Sequence, residues 1–345
     1  MSAQVRIGVI GLGFMGGKWA QALTEHPRVE LAVVCDVRES HAKETADDLQ
    51  TTWSADPGEA AGDPTLDGIV VCTPEDLHVD AAVAALESGT PVAIEKPLAH
   101  ELAAAERIRE ASAGAGVPVL AAHILRFEPR YAAIKSAIDD GTIGAVQMVR
   151  SERIGVAADQ RILQGRTSLP LYYGSHEFDL ARWYAGDVTR VAARRSSGVL
   201  KSAGYDVDDL YSVVLEFAGG AHGTSTLGWS LPATSAPFNT SSFTVIGEHG
   251  YARVEQGPTG LSVVGPSGLA ALDTWYAPSV HGQIRGALAN QVDHFVHVVT
   301  SEAQPLCTVD DGVEAVRLCD AVERAAGDDA FVDVNSVLQE REVSR

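Results

Sequence analysis

The chain has 345 residues, 46% apolar and 21% charged, and its 26 Lys and Arg against 46 Asp and Glu leave a net charge of −20. That supports a packed core at a length suggesting about two domains. The acids are scattered and the bases unclustered, which excludes phosphate-driven binding to nucleic acid or to an anionic membrane surface. No apolar run approaches the ~18–20 residues that span a bilayer. A strand-like run begins at Val5, where a leader would carry basic and apolar regions, so a cytoplasmic protein is expected.

The first third alternates strand and helix patterns. Apolar runs at 5–10, 29–35, 68–72, 91–94 and 117–121 read as strands, and 15–26, 40–50, 76–88 and 100–113 read as helices. Continuously apolar strands separated by helices predict a parallel, doubly wound sheet covered on both faces. Directly after the first strand, "GLGFMG" sets Gly11, Gly13 and Gly16 at the opening of a helix. The first glycine suits a tight turn, the second a close approach of backbone to a pyrophosphate, and the third helix–strand packing. The helix start adds free N–H groups and a positive dipole end, and Phe14 and Met15 are counted with the glycines as cofactor contacts. Asp36 ends the second strand, where a carboxylate accepts hydrogen bonds from a ribose 2′-hydroxyl and repels a 2′-phosphate. NAD is therefore expected, with NADP as the alternative if Arg38 turns to meet a phosphate; capping the next helix is the bland alternative for Asp36.

At "AIEKPL", Glu95, Lys96 and Pro97 follow a strand at the carboxyl edge, where ligands of open α/β sheets sit. Proline fixes the turn and can take a cis bond. Lys96 reads as a catalytic group or as a solvated loop lysine.

Past residue 122 the rhythm changes. A helix over 129–139 ends at Asp140-Gly141, and strand-like segments follow at 146–154, 188–196, 211–217, 221–227 and 242–246, with closing helices at 290–300 and 310–326. The expected fold class is α/β: an N-terminal Rossmann doubly wound domain over 1–122, then an α+β domain over 123–345 with a large, open, mixed or antiparallel sheet. The polar stretch 150–170, with Arg150, Arg153, Arg161 and Arg166, reads as a specificity loop over the substrate mouth or as a solvated edge loop. Trp229 and the loop over 230–240 read as reaching either that cavity or a subunit interface.

The four cysteines (Cys35, Cys72, Cys307, Cys319) form no C-x-x-C pair, and Cys35 and Cys72 read as packing residues. His294 and His297 share a helix face without a third ligand nearby, so no metal is expected.

"GLGFMG", "CTPEDLH", "EKPL", "AHILRFEPRY" and "GSHEFDLARW", in that order, resemble the glucose–fructose oxidoreductase, inositol dehydrogenase and rhizopine catabolism (Gfo/Idh/MocA) family over essentially the whole chain. The resemblance implies an NAD(P)-dependent oxidoreductase of sugars and cyclic polyols, built as a homo-dimer or homo-tetramer. It implies that Lys96 lies beside the nicotinamide and the substrate hydroxyl, with Glu95 near the cofactor. Thr73 and Pro74 would line the dinucleotide with His78 just after them, and His123 and Arg126 would approach the nicotinamide pocket. His176 matches the catalytic histidine. A histidine near its ordinary pKa of ~6.5 suits removal of a hydroxyl proton at neutral pH. Beside a cationic nicotinamide, Lys96 is expected to have a lowered pKa and to relay or hydrogen-bond the same hydroxyl.

One departure falls at Tyr172, where inositol-dehydrogenase-like members usually carry an aspartate four residues before the histidine. Tyr172 and Tyr173 read as donors to a substrate oxygen, as a face stacked on a sugar ring, or as an apolar wall. Asp179, one turn after His176, reads as orienting the imidazole, or as a cap or partner of Arg182. Two other functions share these motifs: an NAD-dependent glycosidase using transient oxidation at C3, and a non-catalytic dinucleotide-sensing regulator.

Overall fold

The computed structural model describes residues 4–157, 167–232, 234–235, 239–256, 264–265, 268–269, 273–328 and 330–336. The chain forms two compact units, Met1–Pro129 with Asp273–Val316 and Arg130–Leu272 with Arg317–Arg345. The sequence reading draws a single crossing near 122; here a later segment rejoins the first unit. The cause is a helix over Ala287–Val299 whose buried face carries Leu288, Val292, Phe295 and Val296. Phe295 meets Trp19 edge-on at 6.5 Å. A Cβ on Gly68 would touch both Val299 and Phe295, so the strand there is bare enough to seat the helix.

Six parallel strands make the sheet of the first unit: β1 (Val5–Ile10), β2 (Val29–Cys35), β3 (Thr52–Ser54), β4 (Gly68–Val71), β5 (Val92–Glu95) and β6 (Val119–Ala122). Their order is β3-β2-β1-β4-β5-β6. Helices α1 (Phe14–Thr24), α2 (Glu39–Leu49), α3 (Pro57–Ala61), α4 (His78–Glu87) and α5 (Leu102–Ala115) make the crossovers. Apolar side chains of the inner strands are removed from water, among them Ile7, Val9, Ile69, Val70, Val92 and Ile94. Each such residue contributes roughly 1.5–3 kcal/mol to the core. The strand order reverses direction between β1 and β4, which opens a crevice at their carboxyl ends.

The second unit begins with α6 (Pro129–Asp139) and contains β7 (Val146–Val156), α7 (Ser175–Ala185), β8 (Val188–Ser196), β9 (Leu210–Phe217), β10 (His222–Leu231), β11 (Asn239–Gly247) and β12 (Tyr251–Gln256). A last short strand, β13, covers Val332–Asp333. These pair in the order β12-β11-β7-β10-β9-β8-β13. Only the β7–β10 pair in this sheet is parallel; the others are antiparallel. The sheet is therefore mixed and mostly antiparallel, as expected. β9 shows why one face is covered: Tyr211, Val213, Leu215 and Phe217 are buried while Leu210, Ser212 and Val214 are exposed. Helix α7 packs through Phe178, Leu180 and Ala181, all buried, and Tyr184 donates its hydroxyl to the Tyr131 carbonyl at 2.8 Å. Among the described residues no helix is long and apolar enough to cross a membrane.

Candidate active site

Within the first unit, the ends of β2, β1, β4 and β5 are neighbours, so Asp36, the glycine turn, Thr73-Pro74 and Glu95-Lys96 line up along one edge. Gly11 has φ +89°, a left-handed conformation that favours glycine. Its N–H donates to the Cys35 carbonyl at 2.7 Å, tying the turn to β2. A Cβ on Gly16 would overlap the Gly11 carbonyl oxygen, whereas one on Gly13 would meet nothing within 4 Å. Gly16 is thus required for the fold of the turn, and Gly13 leaves open space over its backbone. Phe14 opens α1 and is 81% exposed, and the Lys18 amine lies 5.2 Å from its ring centroid. An uncrowded glycine turn at a helix start, beside a carboxylate on the next strand, fits a dinucleotide pyrophosphate and its ribose.

Asp36 is buried and organised. Its Oδ2 accepts from the Leu12 N–H at 3.0 Å, and both carboxylate oxygens accept from Arg38, Oδ1 from Nε at 2.9 Å and Oδ2 from Nη2 at 3.0 Å. Arg38 is therefore turned onto Asp36. Burial alone would raise this carboxyl, but the guanidinium and the Arg38 and Leu12 amides outweigh it and hold the pKa at about 2. The folded value lies below the ordinary 3.8, so the stabilisation, roughly 2 kcal/mol, is complete above the ordinary value and lost as pH falls through 2. Asp36→Ala is expected to lower the melting temperature at pH 7. That gap should close between about pH 4 and pH 2, and a gap unchanged at pH 2 would contradict the assignment.

The next two loops are braced by side chains read from sequence as cofactor contacts. His78 is buried, with Nε2 2.9 Å from the Thr73 carbonyl and Nδ1 3.1 Å from the Pro97 carbonyl. It spans the loops after β4 and β5, and burial pushes its pKa down. Glu95 is also buried; Oε1 accepts from the Trp19 indole at 2.9 Å and Oε2 from the Lys96 N–H at 3.2 Å. Burial pushes the Glu95 carboxyl up, against the opposing effects of Trp19 and Lys96. Both residues set the loops from which Thr73, Pro74 and Lys96 project. The Lys96-Pro97 bond is cis, and Lys96 itself is partly exposed.

His123 and Arg126 follow β6 and are buried. The guanidinium of Arg126 donates to the Leu306 carbonyl at 2.9 Å and pairs with Asp311 at 3.2 Å, so it fastens the returning segment. Burial would raise Asp311, but Arg126 and Thr308 outweigh it and hold the carboxyl below its ordinary value.

In the second unit, Tyr172, Tyr173, His176 and Asp179 lie on one helical stretch that opens with a π-helical turn over Pro170–Gly174 and continues as α7. Such wide turns are rare and recur at functional sites. This turn separates the two tyrosines. Tyr173 is buried, its hydroxyl seated so closely on β7 that a Cβ on Gly155 would overlap it. Tyr172 is only partly buried, with its ring 5.9 Å from Trp229 and 5.1 Å from Tyr173. Trp229 has no exposed surface and packs under both tyrosine rings. Residues 230–232, 234–235 and 239–240 of its loop are described; 233 and 236–238 lie outside the described residues. His176 is partly exposed and Asp179 is buried. Arg182 pairs with Asp187 at 2.7 Å.

The polar stretch read as a specificity loop is corrected in its first part. Arg150 and Arg153 belong to β7, and Arg153 is buried against Glu177 of α7. The strand read over 146–154 runs on to Val156, and its alternate residues face inward. Arg161 and Arg166 lie outside the described residues. The four cysteines are free thiols, three of them buried and Cys72 partly so. His294 Nε2 accepts from the Leu306 N–H at 2.9 Å, and His297 Nδ1 donates to the Asp293 carbonyl at 2.8 Å, so each has its own partner.

Residues 5–123 match the oxidoreductase family with an NAD-binding Rossmann fold, and residues 131–253 match the Gfo/Idh/MocA C-terminal domain. The chain belongs to the Gfo/Idh/MocA family of NAD-binding oxidoreductases. Inositol 2-dehydrogenase 1 of Saccharopolyspora erythraea is 33% identical over 224 residues, covering 63% of this chain and 65% of that protein. The scyllo-inositol 2-dehydrogenase (NAD(+)) of Bacillus subtilis is 32% identical over 234 residues, covering 65% and 67%. The matched stretch thus spans about two thirds of these relatives' length. GenD2 from gentamicin A biosynthesis, solved in complex with NAD, superposes with a TM-score of 0.82 at 25% identity, covering 96% of this chain and 97% of that one.

Proposed function

We propose that this chain is an NAD-dependent dehydrogenase that oxidises a secondary hydroxyl of a cyclitol, sugar or glycoside, or reduces the matching ketone, with Lys96 and His176 handling the proton. The observation that carries it is the first unit's sheet edge, where the open glycine turn, the Asp36 carboxylate and Lys96 end adjacent strands. The activities of the two inositol dehydrogenases support a cyclitol, and the NAD complex of a protein from gentamicin A biosynthesis supports an NAD cofactor.

Gly11, Gly13, Gly16 and the first amides of α1, at Phe14 and Met15, would hold the pyrophosphate, and Asp36 the adenosine ribose. When bound, NAD+ supplies the hydride acceptor. The residues supply the rest: His176 accepts the hydroxyl proton, and Lys96 donates a hydrogen bond to the same oxygen and steadies the charge it gains. In the second unit Tyr172 offers a partly exposed ring as an apolar face for a sugar or cyclitol, above buried Tyr173 and Asp179, and in the first unit His123 and Arg126 are buried after β6. We further propose a cytoplasmic protein and a homo-dimer or homo-tetramer, the assembly supported by exposed Val214, Ile246 and Tyr251 on the second unit's strands.

The proposal is tested by screening inositols, sugars and glycosides with NAD+ for NADH absorbance. Steady NADH accumulation supports a dehydrogenase. Glycoside cleavage without accumulation would instead identify the glycosidase, in which the dinucleotide is recycled.

Two variants refine it. Asp36→Ala is expected to shift the NAD/NADP ratio of kcat/KM toward NADP by about tenfold or more, because the 2′-phosphate loses its repulsion; an unchanged ratio would contradict the ribose assignment. Tyr172→Phe keeps the ring and removes the hydroxyl. A several-fold rise in KM is expected if the hydroxyl bonds substrate oxygen; a silent Phe together with a disabled Ala would assign Tyr172 to stacking alone.

A further inference from the structure

We propose that the buried Arg153–Glu177 ion pair is a positioning element that sets the direction of the neighbouring His176, an inference that rests on the proton-handling role given to His176. Arg153 Nε donates to Glu177 Oε1 at 2.6 Å, with side chains only 3% and 2% exposed. The pair joins β7, in the sheet, to the first turn of α7. Below it, Ser151 donates its hydroxyl to Ser225 at 2.9 Å, across the β7–β10 pair.

Burying two charges is costly, and a pair of this kind is commonly replaced by apolar residues with no loss of stability. Its distinctive property is direction. Phe178, Leu180 and Ala181 of α7 are buried, and apolar burial is non-directional. It holds the helix down, while directional contacts such as the Tyr184 hydroxyl on the Tyr131 carbonyl fix its far end. A charged hydrogen bond from Arg153 Nε to Glu177 fixes its first turn. Consecutive helical residues diverge by about 100°, so a Glu177 fastened to the sheet determines where His176 points. The need for an anchor is local: the π-helical turn over Pro170–Gly174 interrupts the regular hydrogen-bond ladder immediately before α7. Burial pushes the Glu177 carboxyl up, and Arg153 and Ser151 oppose that shift.

The test compares wild type with the double variant Arg153→Met/Glu177→Met, and with the single variants Arg153→Lys and Glu177→Gln. Three readouts are taken: melting temperature, the imidazole Cε1–H NMR resonance of His176 (assigned with His176→Gln), and turnover of myo-inositol with NAD+. The double variant is expected to melt within a few degrees of wild type, with the His176 resonance shifted or split. Its kcat should fall at least tenfold with the KM for NAD+ within twofold. If the double variant does not fold, the same readouts on Arg153→Lys and Glu177→Gln decide. An unchanged His176 resonance in a folded variant would overturn the anchor, whatever the rate. A moved resonance with unchanged kcat would overturn the proton role of His176 and leave the anchor standing. If wild type does not turn over myo-inositol, the resonance alone decides the anchor.

Discussion

Replacing Lys96 with alanine is expected to lower kcat by about three orders of magnitude while the Kd for NAD+ stays within a few-fold of wild type. Proton-handling groups contribute typically ~10²–10⁴ to rate, and a charged donor on the reacting oxygen adds to that. The loop should survive the change, because its shape depends on Glu95, held by the Trp19 indole, and on His78, which spans the Thr73 and Pro97 carbonyls. The glycine turn and Asp36 make their own contacts on β1 and β2 and are untouched. Steady-state kinetics with a calorimetric NAD+ titration separates the two effects. Turnover within tenfold of wild type would remove Lys96 from the mechanism, and loss of NAD+ affinity in parallel would make it a binding residue.

The second large effect is a contrast between two glycines. Gly16→Ala is expected to destabilise the first unit by about 3 kcal/mol or more, because its methyl would overlap the Gly11 carbonyl oxygen, a backbone atom that cannot step aside. Gly13→Ala meets nothing within 4 Å and should melt like wild type. It should nevertheless weaken NAD+ binding about tenfold, near 1.4 kcal/mol, since the methyl stands where the pyrophosphate approaches. Thermal melts and NAD+ titrations of the two variants check this. A Gly16→Ala protein as stable as wild type, or a Gly13→Ala protein with full affinity, would contradict the turn's assigned role.

The first unit was largely legible because its information is local. Buried parallel strands read as apolar runs, and the glycine turn and Asp36 follow from spacing alone. β3 and α3 escaped because Thr52–Ser54 is three residues at a sheet edge, although Asp56-Pro57 was a readable helix start: Asp56 accepts from the Gly58 and Glu59 amides. The return of 273–316 to the first unit was not legible. An amphipathic helix announces an apolar face but not its partner, which here includes Trp19, hundreds of residues away in sequence.

Side-chain partners were not legible where they are remote in sequence. Arg126 carries the same charge whether it faces a substrate or Asp311, and only the fold chooses. Tyr172 and Tyr173 are identical letters side by side; the π-helical turn, with no sequence signature known to us, buries one and leaves the other partly open. Arg153 fell both in the strand read over 146–154 and in the polar stretch read as a loop, and it sits inward on β7.

The most direct test of the central claim follows the carbinol hydrogen itself. Ring-deuterated myo-inositol, scyllo-inositol and glucose are each incubated with NAD+ and the protein, and the nicotinamide is analysed by mass spectrometry. The account predicts reduced cofactor one mass unit heavier, formed in equal amount with a ketone or lactone product. Reduced cofactor without deuterium, or no reduced cofactor from any carbinol in an extended panel of cyclitols, sugars and glycosides, would contradict it.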